Sequence, residues 1–367
     1  MKYYTTLDVM ARKYERMERK WEFRAQDCEA HQIWRQGAAK RLREISGVDG
    51  CEKTDMKPQR QEIIEREGYC REYWTIYTEP EIVMPFYLLR PRHPNGGAMV
   101  IPHGHGSGKE GTICEESNPG VQASGRARQG ECLARSLAQA GYMVFCPDER
   151  GSGERREAGQ QGEGAREWRS NSHRELLQVA IGFGQSLIGL AVWDLMRLVD
   201  FVEQQPEVKA GGIGCAGMSG GGQQTLWLAA LDERIRAAVT SGYFYGMKES
   251  LVTLAGNCAC NYVPHMWETM DMGDMGAMIA PRPLFIESGE KDGLNGPSGL
   301  NNVFPQVETA RKAYGLYGVE ERLVHRVHPG GHQWVGDGVM EFLERYLLEN
   351  DGMTDTEAQE QFIRGNY

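Results

Sequence analysis

The sequence predicts an α/β fold in which a mostly parallel sheet carries helices on both faces. Three observations point there. From about Tyr73 onward, short β-rich apolar runs alternate with segments of helical spacing. The residues with unusual chemistry follow directly after those runs, at the strand ends where open parallel sheets collect function. A chain of 367 residues, 40% hydrophobic and 25% charged, has an ordinary globular balance. It is long enough to bury a core without a disulfide or metal staple.

Residues 1–72 are charged, with Trp21, Phe23, Ile33 and Trp34 scattered among Arg, Lys, Glu and Gln. Too little apolar surface is available for an independent core, so this segment reads as a helical extension laid on the main domain or at a subunit contact. A catalytic domain over 73–350 and a polar tail over 351–367 complete the expected organisation. Tyr73–Thr78 and Ile82–Arg90 flank Glu79-Pro80-Glu81 and predict a hairpin. Ala98–Pro102 is a short strand that stops at His103-Gly104-His105-Gly106. Glu131–Ala140 has helical spacing and ends at Gly141, a good helix stop. Tyr142–Cys146 is the next strand. Arg150 to Arg174 is too polar for core and reads as a long loop over the site, braced by ion pairs of Glu149 and Arg150.

Leu176–Val202 reads as one or two helices, with Ile188, Val192, Leu195 and Val199 at helical spacing. Ile213–Ala216 is a strand, Gln223–Leu231 a helix, and Arg236–Thr240, Pro283–Ile286 and Arg322–Val327 are further short strands. Gly338–Leu348 closes as a helix.

The net charge is −10, so polyanions are repelled and neither nucleic acid nor an anionic membrane surface is an expected partner. No run approaches the ~20 uninterrupted apolar residues of a spanning helix. Met1–Met10 lacks an apolar signal core. The nine cysteines are scattered, and are expected as reduced thiols in a cytoplasmic protein.

Gly217-Met218-Ser219-Gly220-Gly221 matches G-x-S-x-G between a strand and a helix, the context in which a serine is forced outward on a tight bend. Serine is a weak nucleophile and needs a base. His332 lies in a Gly-Gly loop after the last strand. His325 falls within that strand and His328 precedes a proline, which suits packing and turn roles. The orienting acid is expected at Asp292, after the Pro283–Ile286 strand, with Glu290 second and Glu287 third. The order serine, acid, histidine is the order that nucleophile-elbow folds use. An oxyanion needs backbone donors. These are expected from Gly220 and from His105, with Gly106 as the alternative to His105. His265, Met266, Trp267 and Trp334 are candidate walls of a substrate pocket.

Other patterns carry less. Gly104–Lys109 has the wrong spacing for a phosphate loop, and Glu110 stands where Ser or Thr would bind magnesium. His103 and His105 lack a third ligand with zinc-like spacing. Cys258 and Cys260 form C-x-C without a partner pair and are expected to pack near the site. His325, His328 and His332 do not share one element. No metal and no organic cofactor is therefore expected.

Several stretches together resemble the α/β-hydrolase superfamily. They are HGHGSGK (His103–Lys109), PDERGSGERRE (Pro147–Glu157), GMSGGG (Gly217–Gly222), NCACNYVP (Asn257–Pro264), APRPLFIESGEKD (Ala280–Asp292) and HPGGHQW (His328–Trp334). The resemblance spans Tyr73 to Leu348 and is nearest to dienelactone hydrolases and acetylxylan-esterase-like proteins. It implies an α/β-hydrolase fold and a serine esterase acting on short-chain, acetyl-type esters, including those of carbohydrates. Cephalosporin-deacetylase-type acetylxylan esterases carry glutamine where Gly220 and Ser152 stand, and glutamate where Gln333 stands. Dienelactone hydrolases use cysteine where Ser219 stands. Rival readings are a peptidase, transacylase or C–C hydrolase on the same three residues, and a binding protein without catalysis. The helical extension also makes a homo-oligomer an expectation.

Overall fold

The computed structural model describes residues 2–106, 108–124, 132–254 and 257–349. Nine strands form one sheet: β1 (Gln59–Glu65), β2 (Tyr69–Glu79), β3 (Ile82–Pro91), β4 (Ala98–Val100), β5 (Met143–Pro147), β6 (Ile213–Met218), β7 (Ala237–Ser241), β8 (Leu284–Gly289) and β9 (Leu323–His328). Their order is β1-β2-β3-β5-β4-β6-β7-β8-β9. β1, β2, β3 and β5 pair antiparallel; from β5 across to β9 every pairing is parallel. The chain runs from β4 outward to β5, then returns past β4 to β6. This reversal puts the carboxyl ends of β4 and β6 side by side at the switch point, where a crevice forms.

The central strands are buried on both faces, so their side chains alternate between two apolar layers. Phe145, Ala238, Leu284 and Ile286 face one layer; Val144, Cys146, Val239 and Phe285 face the other. The first layer is closed by α2 (Cys28–Ser46), α8 (Leu187–Val202), α9 (Gly220–Leu231), α10 (Met272–Ile279) and α11 (Phe304–Leu316). The second is closed by α5 (Leu133–Gln139) and α12 (Val339–Leu343). Shorter helices α1 (Leu7–Glu15), α3 (Gly108–Thr112), α4 (Pro119–Ser124), α6 (Ala165–Trp168) and α7 (His173–Ala180) lie in the connections. Among the described residues no single helix is long and apolar enough to cross a membrane.

The extension is docked. Ala38, Leu42 and Ile45 of α2 belong to the main core. Asp27 caps α2 by accepting from Ala30 N at 2.8 Å, and Gly47 ends it in the left-handed region at φ 70°. Ahead of α2 the chain follows the start of α10. Trp21 N donates to Thr269 O at 2.9 Å and Phe23 N to Asp274 Oδ1 at 2.9 Å. Asp274 also completes a capping box with Asp271 at that helix's start.

Two features here depart from expectation, the start of the sheet and one cysteine pair. The sheet begins at Gln59, not Tyr73, because β1 is an exposed edge strand whose two apolar residues, Ile63 and Ile64, are adjacent and not alternating, so no strand pattern reveals it. The tail over 351–367 lies outside the described residues. Cys114 and Cys132 form a disulfide, so the expectation of nine reduced thiols fails for this pair; the Cα atoms are brought to 5.8 Å by turns around α3 and α5.

The 150–174 segment is partly interior. Ser152, Ser172 and His173 are buried. The polarity that suggested a loop is absorbed by charge pairing. Asp148, fully buried, accepts from Lys109 N at 2.7 Å and from Lys109 Nζ at 2.8 Å. Asp194 of α8 accepts from Arg150 Nε at 2.9 Å and Nη2 at 2.7 Å, and from Arg155 Nη1 at 2.7 Å. Arg150 also donates to Glu79 at 2.7 Å. Glu149 does not pair with Arg150; its carboxylate lies beside His173 and Gln224.

Burial by itself raises the Asp194 carboxyl, but the two guanidinium groups outweigh it and hold the group below the usual carboxylate range. Its folded pKa is therefore depressed. Its stabilisation is complete above about pH 4, the unfolded value, and fades as pH falls further. Asp194→Asn is expected to destabilise the fold by about 3–5 kcal/mol at neutral pH, since Arg155 loses its carboxylate partner and Arg150 keeps only Glu79 in a buried site. The difference from wild type should narrow below about pH 4, measured as urea midpoints across pH.

Candidate active site

The site is built on the bend between β6 and α9. Ser219 has φ 60° and ψ −121°, a strained position for a residue with a side chain. Two glycines make the bend feasible. A Cβ on Gly217 would lie 2.4 Å from the carbonyl carbon of Gly221, and one on Gly221 would lie 2.2 Å from Pro102 O. The Ser219 amide is fixed by donation to Ser241 O at 2.8 Å. The hydroxyl is thus lifted off the sheet at the amino end of a 12-residue helix.

His332 and Asp292 arrive from the ends of β9 and β8. His332 Nε2 is 2.8 Å from Ser219 Oγ, and His332 Nδ1 is 2.7 Å from Asp292 Oδ2. The carboxylate side fixes the tautomer: Nδ1 carries the proton, leaving Nε2 to accept from the serine hydroxyl. The other oxygen of Asp292 accepts from Leu294 N at 2.8 Å and caps a short turn. Its side chain is 1% exposed whereas that of His332 is 32% exposed, so the chain of three runs from interior to surface.

The remaining acids and histidines have other places. Glu290 is exposed, and its amide donates to His328 O at 2.8 Å. Glu287 is buried and ties strand ends together, accepting from Ser241 Oγ at 2.7 Å, Val335 N at 3.1 Å and Gly336 N at 2.6 Å. His325 lies in β9 beside Ser288; burial, helped by Arg311, pushes it down to about 4. His328 Nδ1 accepts from Gly330 N within the turn.

The 103–106 loop reaches the elbow. A Cβ on Gly104 would lie 3.5 Å from Ser219 Cβ and 3.9 Å from Gly220 N. Gly220 is the first residue of α9, so its amide has no partner one turn back in the helix. The His105 ring lies beside Gly220: a Cβ on Gly220 would lie 3.1 Å from His105 Nε2. A cavity of about 60 Å³ adjoins the elbow, lined among others by Gly104, Gly217, Met218 and Trp334.

The other three pocket candidates lie elsewhere. Met266 is buried in the core. His265 is exposed and pairs with Glu268 at 2.7 Å. Trp267 lies edge-on to Tyr14 of α1 and lines a separate cavity with Leu7, Met10 and Tyr262. The helical extension covers that part of the surface, which the local sequence could not disclose.

The cysteine pair expected to pack near the site does so, against two histidines. Cys258 Sγ lies 3.0 Å from His173 Nδ1, and Cys260 Sγ lies 3.2 Å from His105 Nε2. His103, by contrast, is turned away, with Nε2 accepting from Glu149 N at 3.0 Å. His173 had no signal in the sequence: it sits within the polar stretch expected to be a surface loop.

The chain belongs to the Abhydrolase family, whose model matches residues 1–296. That span holds the elbow and Asp292 and ends before His332. The "Putative hydrolase YtaP" of Bacillus subtilis (strain 168) is 24% identical over 223 residues, 60% of this chain and 69% of that protein. A "putative acetyl xylan esterase" from Bacteroides fragilis NCTC 9343 superposes with a TM-score of 0.72 at 18% identity, covering 100% of this chain and 96% of its own. A glucuronoyl esterase from Solibacter usitatus gives 0.60 at 15% identity, over 89% and 95% of the two chains. The chain is thus an α/β-hydrolase, and at these identities the likeness to the solved structures is one of fold.

In this Abhydrolase core, Gly221→Ala is expected to destabilise by about 1–3 kcal/mol, because the added methyl must displace backbone. Gly159→Ala, with nothing within 4 Å of the added carbon, should change little. Thermal melting of both variants checks the difference.

Proposed function

We propose that the protein hydrolyses carboxylic esters through an acyl-enzyme on Ser219, and that its substrates are short-chain, acetyl-type esters of carbohydrates. The observation that carries the reading is the hydrogen-bonded series Ser219–His332–Asp292 on a strained elbow at the sheet's switch point. His332 Nε2 takes the hydroxyl proton as Ser219 Oγ attacks the acyl carbon. The backbone amides of Gly220 and His105 receive the oxyanion. Asp292 steadies the imidazolium, which returns its proton to the departing alcohol. Water, deprotonated by His332, then releases the acid and restores Ser219.

The substrate class rests on two supports. Structural neighbours are named as acetyl xylan and glucuronoyl esterases. The cavity beside the elbow is small, about 60 Å³, which favours a short acyl group over a long one. The partly exposed face of His332 leaves room for a larger alcohol, as a sugar would require.

Ser219→Ala should abolish turnover of p-nitrophenyl acetate, and wild type should favour acetyl over octanoyl ester. Full activity in the variant would overturn the reading. Asp292→Asn is expected to lower kcat by about 10³–10⁴-fold by spoiling the tautomer, whereas Glu290→Gln should leave it unchanged. Steady-state kinetics on the two variants distinguishes the acids.

A further inference from the structure

Four soft and borderline ligands converge beside the elbow from three distant parts of the chain. They are His105 of the loop after β4, His173 at the start of α7, and Cys258 and Cys260 of the turn that follows residue 257. Their ligand atoms all lie within 4.8 Å of one another. The two measured N···S pairs are 3.0 and 3.2 Å. The edges of a tetrahedral Cys₂His₂ zinc centre are about 3.3–3.8 Å, from metal distances of about 2.3 Å to sulfur and about 2.05 Å to nitrogen. Closing on a metal thus needs shifts of a few tenths of an ångström for these pairs.

We propose that His105 Nε2, His173 Nδ1, Cys258 Sγ and Cys260 Sγ bind one zinc ion in a closed, structural site.

The ligand chemistry selects the metal. Two sulfurs and two imidazoles at tetrahedral spacing suit zinc, and none of the four offers the oxygen that calcium or magnesium requires. Charge also balances. On binding, each thiol releases its proton to solvent, and two thiolates with two neutral imidazoles cancel the dication. A neutral centre is compatible with His173 and Cys260 being 1% exposed.

The surroundings are built to hold the ligands. Ser152 Oγ is 3.2 Å from His173 Nε2 and Glu149 Oε2 is 3.6 Å from it, so the ring can donate its remaining N–H away from the metal. The cysteine turn is held on both sides. Gln223 Nε2 of α9 donates to Cys260 O at 2.9 Å, and Asn261 Nδ2 donates to Cys258 O at 3.1 Å. Tyr243 OH in turn holds Asn261 Oδ1 at 2.7 Å. With four protein ligands the centre has no open position for a reacting water, which makes it a clamp. What it clamps is the 103–106 loop, since His105 is its only ligand from that loop.

The ligand geometry stands without the esterase reading; only the consequence for the oxyanion loop rests on it. The full chain, purified without an affinity tag from zinc-supplemented culture, should carry about one zinc per chain by plasma mass spectrometry. Cobalt substitution should give thiolate-to-metal charge transfer and tetrahedral d–d bands. Cys258→Ser/Cys260→Ser should fall below about 0.1 zinc per chain and lose the charge-transfer band. Ser219→Ala should keep both, so failure of the esterase reading is separable. Should the double variant fail to fold, wild type stripped of metal and titrated with zinc sulfate serves instead: two thiols should become unreactive to a disulfide reagent at one equivalent. Wild type that takes up no zinc, or a folded double variant that takes up as much as wild type, overturns the proposal.

Discussion

The architecture turns on a steric constraint at the β6–α9 bend. Pro102 O, the Gly221 backbone and the Gly217 Cα occupy a space with no room for a side chain at either glycine. Because the bend is that tight, Ser219 is held at a positive φ and its hydroxyl is presented rather than packed. The same closeness makes the end of β4 a neighbour of the bend, so the 103–106 loop has nowhere to go but over the helix N-terminus. Strain here, of order 1–3 kcal/mol, persists because the parallel strands on both sides and a helix buried on all faces over-determine the backbone.

Buried charge performs the second organising task. Lys109–Asp148 and Arg150–Asp194–Arg155 anchor the polar connection after β5 to the body of the sheet and to α8. Gly108 and Gly153 are part of this arrangement: a Cβ on either would come within 2.4 Å of Asp148 Oδ1. A stretch of sequence that looks solvated is thereby drawn inside, and it delivers Ser152, Ser172 and His173 to the flank of the site. Such networks are weak sources of net stability but strict about geometry, because each partner left alone would be a buried charge.

Legible in the sequence were the β2–β3 hairpin, the central strands as short apolar runs, and the helices α5, α8 and α9. β1 was missed because an exposed edge strand has no buried face to imprint on its residues. α10, a short run of Met, Gly, Ala and Ile around one Asp and buried throughout, was missed as well. The site followed the same logic. Ser219, Asp292 and His332 could be chosen because each stands just beyond a strand end, and the structure brings those three side chains within hydrogen-bond reach. Met266 and Trp267 were misplaced because their neighbours come from the core and the helical extension, far away in the chain, whereas His265 faces outward and pairs locally with Glu268.

The amino-acid sequence by itself determined the sheet's alternation with helices, the elbow, and the order of serine, acid and histidine along the chain. These are local properties: residue periodicity, glycine where a Cβ cannot fit, and position relative to a strand. Tertiary structure alone decided which acid faces His332, where the polar 150–174 stretch runs, and that His105 and His173 meet Cys258 and Cys260. The closest sequence separation between a histidine and a cysteine of that group is 85 residues. Proximity over such a span is set by packing of the whole sheet and its helices, and no local spacing records it.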